Sequence, residues 1–254
     1  MARYQVILSY DGTAFSGMQR QENARTVQGE VEQGLKRIGW QGESILFAGR
    51  TDAGVHAIGQ VIAFDLAWAH SLDDLTSALN ANLPQDIGVN EVRKARDDFH
   101  PRYDALKRVY RYQIICLPTR DPIRERFSWR VWPEISLERL ELCAEHFIGE
   151  YDFSAFGTPP KESGATVRRV FRATWQQTDE GYHFEVEGNA FLYHMVRRMV
   201  SIQVEIGQGK LEPEILTRYL SGEAGGMIQG LAPPQGLFLV EISYPDDVII
   251  QKDV

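Results

Sequence analysis

Cysteine is scarce, two residues in 254: Cys116 in a strand-like run and Cys143 in a helix-like one. They form no CxxC pair, so neither a disulfide framework nor a zinc site is expected, and a reducing cytoplasm fits best. Long apolar runs are missing as well. Nothing approaches the roughly 18 apolar residues of a membrane span, and MARYQVILSYDG carries no apolar core of signal-peptide length, so the expectation is a soluble protein with no membrane partner. Net positive charge is also lacking. With 27 Lys and Arg against 35 Asp and Glu the chain carries -8 at pH 7, which argues against a protein that coats nucleic acid through its average charge. Sequence repeats and low-complexity tracts are absent, which excludes solenoids and linker arrays.

What is present is enough apolar material, 43% of residues, to fill one large core or two small ones. The charge is unevenly placed. Arg and Lys crowd into ALKRVYRY, TVRRVFRA and MVRRMV, whereas Asp and Glu gather in SLDDL, SLERLELCAEHF and YPDDVIIQKDV, so one basic face on an acidic body is compatible with the total.

RYQVILSY alternates as a strand does, and TVQGEVEQGLKRI sets Val27, Val31, Leu35 and Ile38 on one helical face. ESILFAG and HAIGQVIAFDL read as strands, SLDDLTSALNANL as a helix with a capping box from Ser71 to Asp74, and IGVNEVRKAR as a strand. The second half reads as a long strand LKRVYRYQIICL, a helix capped at Ser136, a loop over residues 149–166, and the pair RRVFRATWQQT and YHFEVEG turning at Gly181. The helices FLYHMVRRMVSIQVEIG and PEILTRYLSG and a strand GLFLVEISY follow. The pattern predicts an α+β protein of two similar lobes, 1–103 and 104–254, with mainly antiparallel sheets.

Two short motifs fail on inspection. VILSYDGT has the strand and turn of aspartate-nucleophile phosphatases, but Ser9 occupies the position where the nucleophilic carboxylate belongs. GRTDAG has glycines at the phosphate-loop interval, yet Val55 and His56 replace the Lys and hydroxyl residue that should follow. Asp52 remains, in a glycine-flanked connection whose backbone can approach a ligand closely. From spacing alone it reads as a turn residue bonding nearby N–H groups. Were Arg50 to turn back onto it, the carboxylate would stay ionised, as suits a nucleophile or base. Thr51 is the other nucleophile at hand and lacks an adjacent base. His56, His100, His183 and His194 show no paired ligand spacing and read as satisfying local hydrogen bonds, so no metal is assigned.

GRTDAGVHA, with YDGTAFSGMQRQ before it and KRVYRY, DFSAF, FLYHMVR and APPQGL after it, resembles the TruA-type tRNA pseudouridine synthases. The matches run in order from Tyr10 to about Tyr244. Three positions depart: Met18 stands where the family usually has Trp, and Arg198 and Ser201 where Asn and Gly are common. The resemblance implies the pseudouridine synthase fold, with its sheets meeting at a central catalytic cleft, and isomerisation of uridine at positions 38, 39 and 40 in the anticodon arm of tRNA. No cofactor would be needed, and the enzyme would be a homodimer. Asp52 would be the catalytic nucleophile. Tyr110 would pack against the target base, Arg197 would pair with Asp52, Leu237 would line the base pocket, and Arg50 is counted with the substrate contacts. Arg20, Arg25, Lys107, Arg108, Arg111, Arg168, Arg169 and Arg172 are candidates to hold phosphates of the distorted strand, some of them expected instead to be solvated strand-edge residues.

Each residue also has a plainer reading: Tyr110 a core aromatic, Arg197 the edge of an apolar helix, Leu237 ordinary packing. A rival assignment is a non-catalytic RNA-binding module, since paired α+β lobes with aromatic strands also bind RNA. Asp52 speaks against it, because a pure binder gains nothing from a carboxylate aimed at phosphate-rich RNA.

Overall fold

The structure, a computed structural model, describes residues 1–159 and 164–251, so part of the loop expected over 149–166 lies outside the described residues. In chain order its elements are β1 (Ala2–Tyr10), α1 (Val27–Arg37), β2 (Leu46–Phe47), β3 (His56–Leu66), α2 (Leu72–Asn82), β4 (Ile87–Ala95), β5 (Lys107–Cys116), β6 (Trp129–Val131), α3 (Leu137–Glu145), β7 (Gly149–Asp152), β8 (Val167–Thr178), β9 (Gly181–Gly188), α4 (Met195–Gly207), α5 (Ile215–Leu220), β10 (Leu237–Ser243) and β11 (Ile249–Gln251). The class is α+β, with mostly antiparallel strands.

The chain divides into two compact units, Met1–Leu106 with Phe238–Val254, and Lys107–Leu237. The sequence reading kept all of 104–254 together. In the structure the residues from Phe238 onward belong with the first unit because β10 pairs parallel to β3 and β11 antiparallel to β4.

In the first unit β1 lies between β3 and β4, antiparallel to both, and β2 adds two residues beside β3. Tyr4, Val6, Leu8 and Tyr10 of β1 are buried, as the period of two requires for one strand face. Helix α1 buries Val27, Val31 and Leu35. It stops where Gly39 adopts φ 96°, with Gly39 N–H donating to Lys36 O and Trp40 N–H to Leu35 O, a pairing that satisfies its last carbonyls. The capping box of α2 forms as expected, Ser71 Oγ accepting from Asp74 N–H while Asp74 accepts from Ser71 N–H.

In the second unit β9 lies between β5 and β8, β7 flanks β8, and β6 runs parallel to β5. The β8–β9 hairpin closes on Thr178 and Gly181, the latter at φ 142°. Helix α4 is buried on nearly every side, as its apolar composition demands. It begins at Met195, not at Phe191 as its sequence pattern suggests. Tyr193 exchanges backbone hydrogen bonds with Thr158 (3.0 and 3.3 Å), and His194 sits at φ 67°, a left-handed geometry that cannot continue a right-handed helix.

Candidate active site

The connection from β2 to β3 carries Gly49-Arg50-Thr51-Asp52-Ala53-Gly54-Val55, and the segment after β1 presses against it. Gly12 is backed so closely that a Cβ there would lie 2.0 Å from Val55 O. At Gly17, with φ 94°, a Cβ would lie 2.6 Å from Thr51 O. Glycine is the residue that permits both the approach and the positive φ. Backbone bonds close the contact: Met18 N–H donates to Thr51 O (3.1 Å), Gly54 N–H to Phe15 O (3.3 Å), and Val55 N–H to Asp52 O (3.2 Å).

The same segment completes helix α1. The first N–H groups of a helix have no partner within it; here Val27 N–H donates to Gly17 O, Gln28 N–H to Met18 O, and Gly29 N–H to the Oγ1 of Thr26, the N-cap. Residues 15–18 are thus held between the Asp52 loop and a helix end.

Beneath the loop, Tyr10 Oη lies 2.7 Å from Thr51 Oγ1, and Gln60 Nε2 donates to Gly49 O (2.9 Å) and, at 3.5 Å, to Tyr10 Oη. All three side chains are buried, whereas Asp52 is half-buried and Arg50 exposed. Arg50 forms no ion pair among the described residues.

His56 closes the loop on its far side. Gly12 N–H donates to His56 Nδ1 at 2.9 Å, and Asp11 Oδ1 lies 3.2 Å from the same nitrogen. One nitrogen cannot accept from Gly12 and donate to Asp11 together, so we assign Nδ1 as the acceptor. The imidazole stacks on Phe238 at 4.8 Å, with 21° between ring planes. This is the local hydrogen-bonding role expected for His56. Among the described residues no group of three or more His, Cys, Asp or Glu gathers as a metal-ligand cluster.

In the second unit Tyr110 is 9% exposed and meets Phe191 edge-on at 5.1 Å. Arg197, also 9% exposed, stands in the first turn of α4. Its Nε donates to Ala232 O at 2.7 Å, while Ala232 N–H donates back to Arg197 O at 3.3 Å. The APPQG turn is thereby tied to the helix that carries Arg197. It is tied to β5 as well: Tyr112 Oη donates to Pro233 O (2.7 Å), and a Cβ on Gly236 would meet the Tyr112 ring at 2.7 Å. Leu237 follows, buried.

A family model described as tRNA pseudouridine synthase matches residues 6–104 and 143–245, most of the chain and including Asp52, Arg197 and Leu237. The chain belongs to the tRNA pseudouridine synthase family. It is an isomerase, and the reaction of the family is conversion of uridine to pseudouridine in tRNA. Relatives named tRNA pseudouridine synthase A span it end to end. That of Limosilactobacillus fermentum is 35% identical over 258 residues, covering 100% of both chains. Those of an Exiguobacterium species and of Pseudothermotoga lettingae are each 38% identical, covering 96% of this chain and 98% and 100% of their own.

The three positions noted as departures, Met18, Ser201 and Arg198, are buried or half-buried. Met18 is fully buried with its N–H on Thr51 O. Ser201 is buried on α4 beside Gly230, where a Cβ would come within 2.7 Å of its hydroxyl. Arg198 is half-buried, and burial pushes its pKa below the usual guanidinium value.

The expected phosphate-binding cations divide sharply. Arg20 pairs with the buried Glu32 at 2.5 Å, Arg25 with Asp86 (2.7 Å) and Glu30 (3.0 Å), and Lys107 with Glu187 (3.2 Å). Arg111 and Arg172 share Glu185. Burial works against ionising Glu185, but the hydrogen bonds from Arg172 and Arg111 outweigh it and hold its pKa below the ordinary glutamate value. Arg108 is buried on Asn189 O (2.7 Å), and Arg168 is turned onto Ala165 O and Val167 O. Arg169 alone of the eight is exposed with no ion pair among the described residues; its guanidinium lies 5.7 Å from the ring centre of Phe171.

Tyr10, Gln60 and Phe238 are contributions that sequence reasoning did not assign. Gln60 had a visible signal, a polar residue inside the apolar run AIGQVIAF. Tyr10 opens the stretch YDGTAFSGMQRQ, which assigns it no role, and Phe238 had no signal.

Proposed function

We propose that this chain isomerises uridine in the anticodon stem-loop of tRNA, at positions 38, 39 and 40, with Asp52 as nucleophile. The observation that carries the reading is Asp52 itself: a half-buried carboxylate in a connection held from two sides by buried polar groups and backbone bonds, within a family match that spans most of the chain. The reaction breaks the bond from C1′ to N1, turns the uracil and joins C1′ to C5. The C5 proton is lost and N1 gains one, so nothing is oxidised and no group is transferred. A carboxylate serves this by adding to C6, by attacking C1′ or by removing a ribose proton.

The target base has to leave its stack first. Tyr110 then supplies the aromatic face, Leu237 the apolar wall, and Arg197 and Arg50 the cationic contacts of the reading. The protein works in the cytoplasm, where its RNA substrate is, and as a homodimer, which lets an acidic chain gather cations from two copies around one RNA.

Asp52→Asn keeps the shape and removes the charge. Turnover on a tRNA transcript, read as pseudouridine formed per enzyme, is expected to vanish while the melting temperature and RNA affinity stay near wild type. Normal pseudouridine formation by this variant would remove Asp52 from the mechanism.

A further inference from the structure

We infer that the Tyr10 hydroxyl positions the reaction: through Thr51 it sets where Asp52 stands, without itself touching the substrate. The inference rests on the assignment of Asp52 above. Tyr10 ends β1, and Gln60 lies within β3, so both are fixed by strand pairing. Between them they hold the loop at two points flanking Arg50, the Gly49 carbonyl and the Thr51 side chain.

The direction of the Gln60 hydrogen bonds follows from donor chemistry. The Gln60 amide nitrogen can only donate, and its two hydrogens match two acceptors, Gly49 O and Tyr10 Oη. The Tyr10 oxygen accepts from Gln60 and shares a hydrogen bond with Thr51 Oγ1, in which either hydroxyl can donate. Gln60 Oε1 is occupied as well, by Val61 N–H at 3.2 Å.

A satisfied cluster of this kind, with Gln60 fully buried and Tyr10 and Thr51 nearly so, rigidifies its surroundings because each group would be costly to leave unpaired. The Thr51 backbone is held independently, its carbonyl by Met18 N–H. The Tyr10 contact is thus added to a loop already anchored, and what it fixes is the rotation of the Thr51 side chain and the adjoining peptide, on which the Asp52 side chain depends. A nucleophile displaced by about 1 Å can lose about 100-fold in rate, so a shift too small to disturb the fold has a large effect on turnover.

The experiment uses Tyr10→Phe, Thr51→Val, Thr51→Ser and the Tyr10→Phe/Thr51→Val double variant, assayed by single-turnover kinetics on a tRNA transcript, by RNA affinity and by thermal melting. We expect Tyr10→Phe and Thr51→Val each to lower the single-turnover rate about 10- to 100-fold, with affinity within about twofold of wild type. Thr51→Ser, which keeps the hydroxyl, restores most of the rate. The double variant is no slower than the slower single one, since both remove the same bond. A Tyr10→Phe rate within about twofold of wild type overturns the inference, as does a double variant whose losses multiply. If Thr51→Val does not fold, Tyr10→Phe and Thr51→Ser still decide: both near wild type overturns it, and a slow Tyr10→Phe beside a fast Thr51→Ser supports it. Asp52→Asn, run alongside, separates the two readings. An active Asp52→Asn defeats the nucleophile assignment, whereas an inactive one beside a fully active Tyr10→Phe defeats the positioning role alone.

Discussion

At the scale of single residues, Tyr110 is where packing and chemistry are hardest to separate. A ring 9% exposed and set edge-on to Phe191 contributes to the core whatever else it does, so Tyr110→Ala is expected to cost about 3 to 5 kcal/mol of stability and is a poor probe of catalysis. Tyr110→Phe and Tyr110→Leu are better, because both keep apolar volume and only one keeps a ring. Measured below both melting temperatures, Phe is expected to bind the RNA as wild type does. Leu should lose base stacking worth about 1 to 3 kcal/mol, seen as weaker capture of the displaced uracil, and a normal single-turnover rate in the Leu variant would return Tyr110 to the core. The residues around Asp52 teach a related lesson about legibility. GRTDAGVHA singled out Asp52 through the family resemblance, because that motif is one contiguous stretch. Tyr10 and Gln60 stayed hidden because their function exists only once β1 and β3 pair, bringing distant parts of the sequence to one hydroxyl.

Among the elements, the segment between β1 and α1 matters most, since it serves a helix end and a loop together. Gly17→Ala tests that coupling. The positive φ costs an L-residue of order 1 to 3 kcal/mol, and the added Cβ would stand 2.6 Å from Thr51 O, so the Asp52 loop must shift. The expected result is a modest fall in melting temperature with a much larger loss of turnover. An equal rate at a temperature where both proteins are folded would show that the contact is merely structural. Elements of this kind were readable where one local rule governs them: the helical face of α1, the capping box of α2, the turn at Gly181. They were misread where a distant strand overrides propensity. FLYH has the pattern of a helix but is held by Thr158, and Gly149–Asp152, read as loop, becomes β7 because Arg168, Arg169 and Val170 offer it a partner. ESILFAG narrows to the two residues of β2.

For the whole molecule, electrostatics sets the terms on which RNA is bound. A net charge of -8 and the engagement of Arg20, Arg25, Lys107, Arg111 and Arg172 with carboxylates mean that a phosphate must compete for these cations. The salt dependence of tRNA affinity is therefore expected to be shallower than eight free phosphate contacts would give. Arg169→Ala should reduce the slope of log K against log salt by about 1, and Arg172→Ala should change it little. A larger change for Arg172 than for Arg169, in titrations at several salt concentrations, would mean that the Glu185 pairing opens to receive RNA.

The return of Phe238 to the first unit also has a meaning in time. A ribosome extends the chain by roughly 5 to 20 residues per second, and domains fold as they emerge. Yet Phe238, whose ring stacks on His56, follows the whole of the second unit in chain order and so emerges after it. A nascent or prematurely ended chain thus carries GRTDAGVHA without the strand that backs it. The pairing of β10 with His56 and Ala57 therefore waits until the second unit has been made, and a chain released before Phe238 lacks that support behind the loop.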